Sequence, residues 1–134
     1  MLRFILLLST IAVSFQPAFA QNAPSELLKS MAKGKETYST YCQSCHMEQG
    51  EGLEGVFPPL AKSDYLMADK KRTIRQIING ISGPIKVNGI SYEGEMPGYP
   101  LSDEEVADLM NFIRNSFGNK GGATTTAEVA AARK

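Results

Sequence analysis

Cys42-Gln43-Ser44-Cys45-His46 is the stretch that decides how this 134-residue chain is read. The chain has two cysteines and one histidine, and all three fall within these five residues. C-x-x-C-H is the spacing of covalent c-type haem attachment. Two thiols so placed can each add across a vinyl group of one macrocycle. The adjacent imidazole then supplies a proximal ligand to the iron. Other chemistries use the same residue types. A four-cysteine zinc site fails for want of ligands. A thioredoxin-like redox pair needs a βαβ context, which the pattern lacks. A C-x-x-C disulfide beside an unrelated histidine stays open on these residues alone, as does copper handling by cysteine and methionine sulfurs.

Residues 1–20 read as a secretory leader. Arg3 gives the positive start, an apolar run from Phe4 to Phe15 follows, and Ala18-Phe19-Ala20 is an A-x-A cleavage site. The run is short for a membrane span. Cleavage after Ala20 would leave 114 of the 134 residues, which suits one small domain, with 21–119 as its body and 120–134 as a polar tail. Loss of Arg3 leaves thirteen basic against fourteen acidic residues. So balanced a charge offers no basic field for nucleic acid.

The pattern outward from the motif is mainly helical. Ser25 can cap a helix starting near Glu26, with Leu27, Leu28, Met31, Tyr38, Tyr41 and Cys42 roughly on one face. Gly34, Tyr38 and Cys42 are spaced i, i+4, i+8, so that face carries a notch, a ring and a thiol. Residues 47–59 read as a glycine- and proline-rich loop. Ser63-Asp64 opens a short turn, and Asp69 caps an amphipathic helix ended by Asn79-Gly80. Its Lys70, Lys71, Arg72 and Arg75 read as a solvated face, with a docking patch as the alternative. Asn88-Gly89 between two β-prone runs predicts a tiny hairpin over 85–92. Residues 93–100 then read as a loop carrying Met96. A haem with histidine on one side commonly takes a methionine sulfur on the other. Met96 is the candidate on position, and Met67 is its rival. Ser102 and Glu105 form a capping box for the strongest helix, whose apolar face holds Val106, Leu109, Met110, Phe112, Ile113 and Phe117. The tail repeats a small capping box at Thr125 and Glu128 and reads as loosely held.

Taken together, Cys42-Gln43-Ser44-Cys45-His46, Phe57-Pro58-Pro59-Leu60, Met96-Pro97 and the set Gly34, Leu109, Phe112 resemble a class I, mitochondrial-like cytochrome c of the bacterial monohaem type. The resemblance implies an all-α cytochrome c fold, three to four helices around one covalently attached haem c. It implies that Cys42 and Cys45 hold the haem and that His46 and Met96 are its axial ligands. The Pro58 carbonyl would accept a hydrogen bond from the proximal imidazole, and the first and last helices would cross at Gly34. The implied function is single-electron transfer in the periplasm, without catalysis, between transiently met redox protein partners of a respiratory chain. A monomer with no membrane span in the mature chain is expected. Two alternatives accompany this reading. One is a haem subunit or module of a larger dehydrogenase, oxidase or nitrite reductase. The other is a five-coordinate haem enzyme or sensor.

Overall fold

The computed structural model describes residues 23–134, so the reading of 1–20 as a leader lies outside the described residues. Six helices and one two-stranded antiparallel sheet follow in order: α1 (Ala23–Tyr41), α2 (Gln43–His46), α3 (Asp64–Ala68), α4 (Lys70–Asn79), β1 (Gly80–Val87), β2 (Ile90–Pro97), α5 (Asp103–Asn115) and α6 (Thr126–Arg133). Among the described residues no helix is long and apolar enough to cross a membrane.

α1 and α5 pack on one another and organise the rest. Their approach depends on Gly34. A Cβ at that position would lie 1.9 Å from the Asp108 carbonyl oxygen and 2.9 Å from the Leu109 nitrogen. The notch therefore receives the backbone of α5, not the side chains of Leu109 and Phe112. One turn on, Tyr38 is buried and stacks 5.4 Å from Phe112 and 5.3 Å from Phe117. Beside the crossing, Ser30 Oγ donates to the Asp108 carboxylate and accepts from Asn111 Nδ2 at 2.8 Å. The core joins Tyr38 to Leu66, Ile74, Ile77, Val106, Leu109, Met110 and Ile113.

The predicted apolar face of α1 needs correction. Leu28, placed on that face, is 65% exposed. The helix also starts at Ala23 instead of near Glu26. Pro24 then falls in the first turn, where a missing N–H forfeits no helical bond.

α3, α4, α5 and α6 begin at side-chain caps that are visible in the sequence. Ser63 accepts from the Leu66 N–H, and Asp69 accepts from the Arg72 N–H at 2.9 Å. Ser102 and Glu105 bond reciprocally across the first turn of α5, at 2.8 and 3.3 Å. Such a box satisfies backbone donors that the helix itself cannot.

The hairpin is longer than the sequence suggests. It pairs Gly80 with Pro97 through to Val87 with Ile90, so Met96 lies in a strand instead of a loop. Gly83, Pro84 and Gly94 are residue types that weaken strands, but in a two-stranded ribbon each strand is an edge, where proline and glycine are tolerated. The turn itself is as expected, with φ of 50° at Asn88 and 86° at Gly89. It is pinned to α3 by a reciprocal pair: Asn88 N–H to Asp64 Oδ1 at 2.7 Å and Asp64 N–H to Asn88 Oδ1 at 3.0 Å.

The tail is not loosely held. α6 packs on α4 and α5 and buries Val129 and Ala132. The basic residues of α4 hold it there. Lys70 Nζ reaches the Ala123 carbonyl and Glu128 Oε1, both at 2.9 Å, and Arg75 Nε donates to the Ala132 carbonyl at 2.9 Å. Arg72 turns the other way, onto the Tyr65 carbonyl and over its ring. Three of the four basic side chains are thus engaged within the chain, neither simply solvated nor free for docking. At the far end of α6, Arg133 bonds Asp103 at 2.5 Å and the Leu101 carbonyl at 2.6 Å.

Candidate functional site

Two junctions build the site: α1 into α2, and the hairpin into α5. Tyr38 closes the first junction by donating its hydroxyl to the Met47 carbonyl at 2.6 Å. Met47 has φ of 64°, a left-handed conformation in which the backbone leaves the short helix immediately after His46. The Gly52 N–H donates to the His46 carbonyl at 3.0 Å, so the loop folds back under the histidine. That return needs glycine. Gly52 has φ of 63°, and a Cβ there would meet the Phe57 carbonyl oxygen at 2.3 Å.

A cavity of about 350 Å³ lies above this turn. Cys42, Cys45 and His46 contribute to its lining from α1 and α2, and Pro58, Pro59 and Leu60 from the loop. α4 adds Thr73, Gln76 and Ile77, and α5 adds Leu109 and Ile113. From the hairpin come Ile81, Gly83, Ile85 and Val87 of β1 with Tyr92, Gly94 and Met96 of β2. The register makes a face of them, because Ile81 pairs with Met96, Gly83 with Gly94 and Ile85 with Tyr92. The central Gly83–Gly94 pair leaves bare backbone there, and a Cβ on either residue would meet nothing within 4 Å. Of the described methionines, Met96 alone lines the cavity. Met67 packs against the core and Met110 lies inside it.

The chemistry of the two sulfur and nitrogen donors near the loop can be read from their surroundings. Both cysteines are free. Burial, and then the neighbouring Cys45, push the Cys42 thiol up to about 12. A catalytic redox thiol is instead held low and reactive. His46 is buried, and its Nδ1 lies 2.9 Å from the Pro58 carbonyl oxygen. A carbonyl only accepts, so Nδ1 carries the proton and donates it, which leaves the Nε2 lone pair free. Burial lowers the His46 pKa and outweighs the opposing pull of that bond. A neutral imidazole with its second nitrogen oriented by a carbonyl is what metal ligation requires.

These features suit a haem. The cavity gathers two thiols at the attachment spacing, a neutral imidazole and a thioether, and the Gly83–Gly94 pair leaves open space at the hairpin wall. Sequence reading missed several lining residues, namely Thr73, Gln76, Tyr92 and Tyr99. No local motif marks them. Only the i, i+3, i+4 spacing of Thr73, Gln76 and Ile77 hints that they share a helix face.

Comparison with known proteins agrees with this geometry. The family profile described as Cytochrome c matches residues 31–117. A cytochrome c-552 of Thermus thermophilus is 35% identical over 111 residues, covering 76% of this chain and 74% of that protein. The cytochrome c subunit of the quinone alcohol dehydrogenase of Gluconobacter oxydans is 36% identical over 98 residues, which is 70% of this chain but 20% of the subunit. The cytochrome c subunit of gluconate 2-dehydrogenase of Pantoea cypripedii is 33% identical over 130 residues, 89% of this chain and 29% of the subunit. The chain thus spans about a fifth to a third of the length of these dehydrogenase subunits. The fold, the cavity and these matches define a c-type cytochrome with covalently attached haem c. This chain belongs to the cytochrome c family.

Proposed function

We propose that the chain is an exported periplasmic monohaem carrier of single electrons. In this reading Cys42 and Cys45 form the thioethers and His46 and Met96 are the axial ligands. The observation that carries it is one cavity lined by both thiols, by His46 with its Nδ1 bonded to Pro58, and by a single methionine. The haem, when bound, supplies the ferric–ferrous couple. The Pro58 carbonyl orients His46 and strengthens it as a donor, which is one of the protein's levers on potential. The apolar walls exclude water, a second lever. With both axial positions filled, no open site remains for a substrate, so the protein is a carrier and not an enzyme. Its contacts with redox partners are small and transient, as such encounters usually are.

Visible spectra of the oxidised and reduced protein, with and without carbon monoxide, test this reading. Ferrous bands unmoved by carbon monoxide are expected, with the weak far-red ferric band of methionine ligation. Met96→Ala should abolish that band and Met67→Ala should leave it. A large carbon monoxide shift in the native protein would sink the closed-carrier reading and favour a five-coordinate haem enzyme or sensor. A second reading, a haem module serving a larger dehydrogenase, draws support from the alcohol and gluconate dehydrogenase subunits. Stable co-purification with a membrane dehydrogenase would favour it over the free carrier.

A further inference from the structure

Two tyrosines that neither the motif nor the ligand set uses meet at the cavity. Tyr41 closes α1, one residue before Cys42, and Tyr99 lies three residues beyond Met96. Both line the cavity. Their rings are 5.3 Å apart and tilted by 55°. The Tyr99 hydroxyl donates to the Tyr41 carbonyl at 3.0 Å. The Tyr99 N–H donates in turn to the Ile77 carbonyl of α4, also at 3.0 Å. Between Met96 and Tyr99 the backbone has no slack. A Cβ on Gly98 would sit 2.5 Å from the Ile78 carbonyl oxygen. The exit of β2 is therefore fixed to α4 along its backbone, and to the Cys42 end of α1 by one side chain.

We propose that Tyr99 is a positioning residue: with Tyr41 it forms a clasp that holds the Met96 strand against the thiol-bearing end of the cavity and so keeps exogenous ligands from the iron. The proposal rests on Met96 ligation. Cys42 and Met96 are then both tied to the same haem, and the Tyr99–Tyr41 bond closes the circuit between them through protein. Displacing the Met96 sulfur requires the strand exit to move away. The clasp resists that movement with one hydrogen bond and one ring contact, which can be removed separately. Tyr99→Phe keeps the ring and loses the bond. Tyr41→Ala keeps the accepting carbonyl and loses the ring.

The test is imidazole titration of the ferric holoprotein, followed by loss of the far-red methionine band. Tyr99→Phe should tighten imidazole binding about threefold, the value of one modest hydrogen bond. Tyr41→Ala should do about the same, and Tyr99→Ala should tighten it about tenfold or more. Val129→Ala, a buried change in α6 away from the cavity lining, controls for general loosening and should leave imidazole affinity as in the native protein. Native-like affinity in Tyr99→Ala, with the far-red band present, would overturn the clasp and leave Met96 ligation standing. So would an equal rise in Val129→Ala. If Tyr99→Ala yields no holoprotein, unchanged affinities in both Tyr99→Phe and Tyr41→Ala overturn the proposal. A native protein lacking the far-red band and binding imidazole tightly would instead refute Met96 ligation, and the clasp with it.

Discussion

Replacing Gly34 with alanine sets two physical effects of opposite sign against each other. In an open helix the change would stabilise, because alanine exceeds glycine in helix propensity by about 1 kcal/mol. Here the new methyl would lie 1.9 Å from the Asp108 carbonyl oxygen and 2.5 Å from its carbon, against an ordinary contact of 3.4 Å or more. Every close atom is backbone, so no rotamer change can relieve the clash. α1 and α5 would have to separate by about 1.5 Å along that direction, the difference between the two distances. Overpacking of this kind typically costs about 1–3 kcal/mol, and a rigid backbone neighbour puts it at the upper end. After the propensity gain the net loss is about 2 kcal/mol, which for a domain of this size lowers Tm by about 8 °C. Thermal unfolding of the holoprotein, followed by helical circular dichroism, measures it. The tilted ring contacts of Tyr38 with Phe112 and Phe117 lie one turn away, so their near-ultraviolet signal should change as well. A Gly34→Ala protein as stable as the native one, or more so, would show that the crossing does not depend on the missing Cβ.

Other expectations concern single groups. Tyr38→Phe keeps the buried ring but removes the 2.6 Å bond to the Met47 carbonyl, which retains a weaker 3.3 Å bond from the Gly50 N–H. A loss of about 1 kcal/mol is expected, seen as a lower denaturant midpoint at unchanged slope. Val129 is fully buried, and Val129→Ala should cost about 2 kcal/mol by the same measurement. Glu128 carries a lowered pKa, through its bond to Lys70 first and the Thr125 backbone bond second. A carboxylate depressed on folding contributes stability that is present above its ordinary value of 4.5 and lost as pH falls towards the folded value. Amide protection factors over α6, taken relative to the intrinsic exchange rate at each pH, should therefore fall below pH 4.5, and Glu128→Gln should remove most of that dependence. An α6 equally protected at neutral pH and well below that value would refute the assignment.

Much of this molecule is legible where one residue carries one local job. The attachment spacing, the caps at Ser63, Asp69 and Ser102, and the Asn88-Gly89 turn each satisfy a requirement within a few residues. Gly34 is visible because i, i+4, i+8 places it beside Tyr38 and Cys42, although the sequence suggests side-chain packing where backbone fills the notch. What was not legible depends on partners distant in the chain. Gly83, Pro84 and Gly94 look like breakers until paired, and only the register shows that two glycines sit side by side in the cavity wall. The alanine-rich tail has little apolar surface of its own. Its hold comes from Lys70 and Arg75, which an amphipathic pattern assigns to solvent. Tyr99 is one aromatic ring in a proline-rich stretch until its hydroxyl meets the end of α1.

The crossing at Gly34 has a topological consequence. It joins residue 34 to residue 108, and much of the cavity wall lies on the chain between them. In polymer terms the site is the interior of a single closed loop. The entropy of closing such a loop grows slowly with its length, and here it is met once, at a contact made by backbone and a missing side chain. Contacts of such high sequence separation also slow folding. A substitution at the crossing therefore acts on the cavity as a whole, by shifting the equilibrium between closed and open loop, while every residue touching the haem keeps its identity.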